Sequence, residues 1–117
     1  MFNIVIFQDI QIQLIDTGLY CILNKHQSIT IPKTVRKALA LLAGDEVTVS
    51  MTSTSRGLII QKLTNETLEN IMIITRKGAI RIPVELKKNL CLEKGDMFQV
   101  YKSIDNQFVV LECKSQS

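Results

Sequence analysis

A chain of 117 residues with 46% apolar side chains suits one compact domain or two very small ones, and it is too apolar to stay unfolded. The net charge of +3 permits a nucleic-acid partner without demanding one, so local clustering has to decide. Three scattered cysteines (Cys21, Cys91, Cys113) and the single histidine, His26, lack the spacing of a zinc site and fit buried, reduced thiols in a cytoplasmic protein.

The opening "MFNIVIF" is apolar but too short to span a bilayer. It carries no secretion signature, so no membrane association is expected. "DIQIQLID" (Asp9 to Asp16) alternates cleanly and predicts an extra strand within an N-terminal segment, residues 1–20. Two roles fit it: covering a sheet edge, or pairing with a second copy or another protein through residues 1–18. "CILN" predicts a short strand, "KHQ" a turn, and "SITI" a strand with one buried face. Pro32 ends that strand, because it biases Ile31 toward extended geometry while its own fixed φ suits a first helical turn. The short helix that follows places Val35, Leu39 and Leu42 on one stripe and turns Arg36 and Lys37 off it, toward water or a ligand. Gly44-Asp45 marks a turn, and "EVTVSM", "TSTSR" and "GLIIQKL" read as a β-hairpin.

After the polar linker "TNETLEN" (64–70) the same device returns. Sliding the chain by 51 residues brings Pro32 onto Pro83, Ile29 onto Ile80, Ile31 onto Ile82, Lys37 onto Lys88 and Gly44-Asp45 onto Gly95-Asp96, without a gap from Cys21 to Lys62. "MIIT", "RKG", "AIRI", a helix with Leu86 and Leu90 inside and Lys87 and Lys88 outside, and the hairpin "MFQVYKS"/"QFVVLEC" repeat the order. The expected organisation is therefore two repeats, 21–63 and 71–113, with a tail at 114–117. A unit of roughly forty residues cannot close a core alone, so the two are expected to share one with approximate two-fold symmetry.

A strand running into Ile-Pro, a basic short helix ending in Leu-x-Leu, then Gly-Asp and a hairpin resembles the SpoVT-AbrB superfamily. That group includes the AbrB transition-state regulators and the MazE-type antitoxins. The resemblance covers Cys21 to Lys62 and Met72 to Cys113, and "RKGAIRIPVELKKNLCLEKGDMFQVY" is the closer match. It implies a mainly β fold with two short helices: a swapped-hairpin β-barrel made within one chain as a pseudo-dimer, plus the N-terminal strand. Tandem copies also look like the MraZ regulators, whose Asp-x-x-x-Arg motif is absent from the equivalent "NKHQS" and "TRKGA". The family's arginine four residues before the proline is replaced by Ser28 and Ala79, and its helix-closing glycine by Ala40 and Cys91. Keeping φ > 0 at the latter pair costs about 1 kcal/mol or somewhat more at each.

Positive charge spaced along a phosphate backbone needs no particular sequence around it. The repeats supply two matching clusters: Lys25, His26, Lys33, Arg36 and Lys37 from the first, and Arg76, Lys77, Arg81, Lys87 and Lys88 from the second. These are the candidate contacts to double-stranded DNA. Arg81 and Arg76 suit base edges or a narrow groove, and the lysines suit the backbone. The expected function is a DNA-binding regulator, a repressor of AbrB type. The alternative is an antitoxin or protein-binding adaptor using the N-terminal strand, although the acidic tail of MazE-like antitoxins has no counterpart in the closing "KSQS". No Gly-rich phosphate loop, catalytic Cys/His pair or ligand cluster is present, so neither a cofactor nor an enzymatic activity is expected.

Overall fold

The structure, a computed structural model, describes residues 3–7, 12–52, 56–63 and 70–114. Branched apolar residues alternating with polar ones put most of the chain into strands. These are β1 (Asn3–Phe7), β2 (Ile12–Ile22), β3 (Ser28–Thr30), β4 (Glu46–Met51), β5 (Gly57–Lys62), β6 (Asn70–Ile73), β7 (Ala79–Arg81), β8 (Met97–Ser103) and β9 (Phe108–Cys113). Two helices, α1 (Lys33–Ala38) and α2 (Val84–Asn89), each follow an Ile-Pro pair. Pro32 and Pro83 stand at the N-cap, with ψ of 141° and 139°. The proline therefore still belongs to the extended segment, and the helix starts on the next residue.

Seven strands form one antiparallel sheet in the order β1-β2-β8-β9-β5-β4-β6, and β3 with β7 forms a second. The hairpins β4–β5 and β8–β9 lie side by side through the β5–β9 ladder. Everything around them crosses over. β6 pairs with β4, Leu19–Ile22 of β2 pairs with β8, and β3 pairs with β7 about Ile29 opposite Ile80. Bonds outside the ladders cross in the same way: Leu23 N–H donates to the Asp96 carbonyl and Ile74 N–H to the Asp45 carbonyl, each at 3.0 Å.

The expected swapped-hairpin barrel is not formed. Among the described residues both sheets are open, and the larger one ends at β1 on one side and at β6 on the other. On one side β1 covers β2, and on the other the chain leaves β6 after Ile73 and turns through residues 75–78 into the second sheet, so these two ends are not laddered to each other. The fold is mixed β and α, with one hydrophobic cluster joining residues of both sheets and both helices, among them Ile29, Val35, Ile60, Ile80, Leu86 and Phe98. Fully burying each such side chain contributes about 1.5–3 kcal/mol.

Two other local expectations are corrected. The extra strand and "CILN" are one strand, β2, within the described residues, while 8–11 lie outside them. Thr17-Gly18 makes a bulge between Asp16 and Leu19. There Gly18 has φ of 74°, its N–H donates to Asp16 Oδ1 at 2.9 Å, and the Thr17 hydroxyl donates to the Val100 carbonyl at 2.7 Å. Leu42, expected on the buried stripe, is 67% exposed, and Leu41 is buried in its place. The helix stops at Ala38, and the next turn rotates the chain.

Candidate nucleic-acid interface

Each helix ends in the same backbone device. Ala40 N–H donates to the Lys37 carbonyl and Leu41 N–H to the Arg36 carbonyl, while Cys91 and Leu92 repeat these bonds to Lys88 and Lys87. This is a Schellman closure, whose left-handed position is normally glycine. Ala40 and Cys91 adopt it with φ of 55° and 54°. The positive φ that glycine usually supplies is therefore retained without glycine.

Two cations stabilise these ends. Lys62 Nζ donates to the Ala40 carbonyl at 3.2 Å and lies 3.4 Å from Asp45. Arg56 donates to the Leu90 and Cys91 carbonyls, each at 3.0 Å, and lies 3.7 Å from Asp96. The two flank opposite ends of β5, so one strand serves both helices. Asp45 Oδ2 accepts the Leu42 N–H and Asp96 Oδ2 the Glu93 N–H, both at 2.8 Å. The Leu42 bond, with Lys62 adding to it, holds the Asp45 carboxyl below its ordinary range.

The crossed fold regroups the basic residues. Ile31 N–H donates to the Gly78 carbonyl at 3.1 Å, which seats the 75–78 turn beside α1. Ile82 N–H donates to the Gln27 carbonyl at 2.8 Å, which seats the 24–27 turn beside α2. Arg76 and Lys77 therefore join Lys33, Arg36 and Lys37 on one face, and Lys25 and His26 join Arg81, Lys87 and Lys88 on the other. Each face takes its turn from one half of the chain and its helix from the other. Sequence alone groups them by repeat, because it cannot show the crossing.

Lys25, His26, Lys33, Lys37, Arg76, Lys77, Arg81 and Lys88 are exposed, and Arg36 and Lys87 are half-buried. Of these ten, only Arg36 has a side-chain bond among the described residues: its Nε donates to the Ile31 carbonyl at 2.8 Å. The first face carries no acid in its helix, whereas α2 carries Glu85 in its first turn. On the small sheet Thr30 and Arg81 are both exposed at positions 51 residues apart, so only one half offers a cation there. A cleft of about 230 Å³ on the α2 face is lined by Gln27, Val84, Lys87, Lys88, Cys91 and Glu93 among others, and Gln27 Oε1 is buried with no hydrogen-bond partner among the described residues. Sequence reasoning passed over Gln27, Arg56 and Lys62. Gln27 precedes the strand where the second half has Gly78, and that mismatch is its only mark in the sequence.

Among the described residues no group of three or more His, Cys, Asp or Glu is placed to hold a metal, and no helix is long and apolar enough to cross a membrane. Residues 23–67 match the model of the MazE bacterial antitoxins, described as antidote-toxin recognition. The matched span is less than half of the chain. No curated protein matches. Among solved structures the chain is similar to the solution structure of PHS018 from Pyrococcus horikoshii, at 16% identity and a TM-score of 0.47, covering 85% of this chain and 94% of that one. A likeness at that level bears on nothing further. The family match is a likeness of residues 23–67 to the MazE antitoxins.

Proposed function

We propose that the chain is an antitoxin-type regulator that binds double-stranded DNA through its two composite cationic faces and acts there as a repressor in the cytoplasm. In this reading 21–63 and 71–113 are tandem units folded as one body. The observation that carries it is the crossed seating of each basic turn on the basic helix of the other half, with no side-chain partner for nine of the ten candidate residues among the described residues. Exposed cations gathered from distant segments are what a phosphate backbone needs. The test is duplex binding from a random pool at two salt concentrations. Neutralising six or more phosphates should weaken binding at least about a thousandfold between roughly 50 and 200 mM salt. Lys87→Ala should reduce the salt slope by about 0.9, and Arg81→Ala should also relax sequence preference. Affinity indifferent to salt would overturn the reading.

The family match favours a second reading, in which the partner is a protein of toxin type. Residues 1–18 include β1 and the part of β2 that it covers. A stoichiometric protein co-purifying through that segment, with no duplex shift at low salt, would select this reading.

A further inference from the structure

Arg36 and Lys87 occupy equivalent helix positions, 51 residues apart, yet the structure treats them differently. The Arg36 guanidinium lies over Gly78 so closely that a Cβ there would sit 2.3–2.4 Å from its Cζ, Nε and Nη1. Its Nε also donates to the Ile31 carbonyl, and the Ile31 N–H donates to the Gly78 carbonyl. One side chain thus grips both sides of the crossing between the end of β3 and the 75–78 turn. Gly78 itself is buried with φ of 81°, so this turn both needs glycine's backbone and needs its missing side chain. In the other half Gln27 stands where Gly78 would be, and Lys87 has no hydrogen-bond or ion-pair partner among the described residues.

We infer that Arg36 is a positioning residue, a clasp that holds Arg76 and Lys77 against α1, while Lys87 is left free to contact phosphate. This rests on the DNA-binding reading for its consequence and not for its geometry. A planar fork suits such a role, because it can lie flat on a backbone and still donate in its own plane. An arginine already engaged inside the molecule leaves the phosphate work of that face to Lys33, Lys37, Arg76 and Lys77.

The test separates clasp from contact. In the free full-length protein, Arg36→Met should raise the hydrogen-exchange rate of the Ile31 amide roughly tenfold, the loss expected when one supporting hydrogen bond is removed. Arg36→Lys keeps the charge without the fork and should give a smaller rise in the same place. Gly78→Ala keeps every charge but evicts the guanidinium and strains the turn at φ of 81° as well, so its rise should be at least that of Arg36→Met. With duplex present, Arg36→Met should weaken binding about tenfold while leaving the salt slope unchanged, whereas Lys37→Ala should lower the slope by about 0.9. A slope that falls by about one in Arg36→Met would make Arg36 a phosphate ligand and overturn the inference. Unchanged Ile31 exchange would overturn it as well. If the wild-type protein shows no salt-dependent binding, the functional reading fails, and the exchange measurements alone decide the clasp.

Discussion

Replacing Ala40 and Cys91 by glycine should make the protein more stable, although both changes remove side-chain atoms. The two residues close α1 and α2 with φ of 55° and 54°. A residue with a Cβ loses about 1–2 kcal/mol in that conformation, from contact with the following carbonyl oxygen. Glycine removes that strain but gains freedom in the unfolded chain, which offsets about 0.4–1 kcal/mol. Taking the middle of each range, the net is a gain of about 0.8 kcal/mol per site. Both side chains are exposed, so little burial is lost. The sites lie on separate helices and use separate supports, Lys62 for one and Arg56 for the other, so the effects should add. Together they give about 1–2 kcal/mol. With an unfolding entropy near 2.1 cal/mol/K per residue, a chain of this length shifts about 4 °C per kcal/mol, so the double variant should melt about 4–8 °C higher. Thermal unfolding followed by circular dichroism at neutral pH measures it. A double variant melting at or below the wild type would refute the reasoning, because the left-handed turns would then store no strain.

Two other perturbations test the core. Ile29 and Ile80 face each other across the β3–β7 ladder and are both fully buried, so Ile29→Ala or Ile80→Ala should cost about 2–5 kcal/mol. Urea unfolding should stay a single transition in each variant; two transitions, or one that leaves half of the signal unmoved, would show that the halves fold separately. Burial pushes the Cys21 thiol from 9.0 up to about 12, so the fold favours the neutral form. That contribution is whole below the unfolded value and is lost as pH rises from about 9 toward 12. The urea midpoint should fall over that range, and less steeply in Cys21→Ala; Tyr101, also raised by burial, accounts for part of the remaining slope. Equal slopes in the two proteins would refute the assignment to Cys21.

The local chemistry was legible in the sequence where it is imposed by the backbone. Proline fixes φ, so the strand-to-helix joints at Pro32 and Pro83 fall within a residue of where they are expected. Period-two alternation likewise marks β4, β5, β8 and β9. What the sequence hides are the choices made by distant partners. The clean alternation stops at Asp16, and only pairing with β8 shows that β2 runs on through Thr17-Gly18. Leu41 and Leu42 are equally apolar, and a left-handed Ala40 selects which one is buried. Closure of a sheet depends on whether its end strands meet, which no local pattern records, and among the described residues they do not. The candidate cations were all visible, but their grouping was not, since it follows from hydrogen bonds such as Ile82 N–H to the Gln27 carbonyl.

On the proposed DNA-binding reading, that regrouping ties recognition to folding. If each cationic face came from one repeat, a half that detached would keep a working face. Here neither face exists unless the 24–27 and 75–78 turns are seated on the opposite helices, and those seats hang on the Ile29–Ile80 ladder. Loss of core packing should therefore weaken DNA binding before any cation is removed, through the population that has uncrossed. The same dependence separates the two kinds of cation in this chain. Arg36, Arg56 and Lys62 spend their charge on backbone carbonyls and hold the crossing together. Lys25, Lys33, Lys37, Arg76, Lys77, Arg81, Lys87 and Lys88 hold nothing among the described residues, so the fold loses little if they turn to a partner.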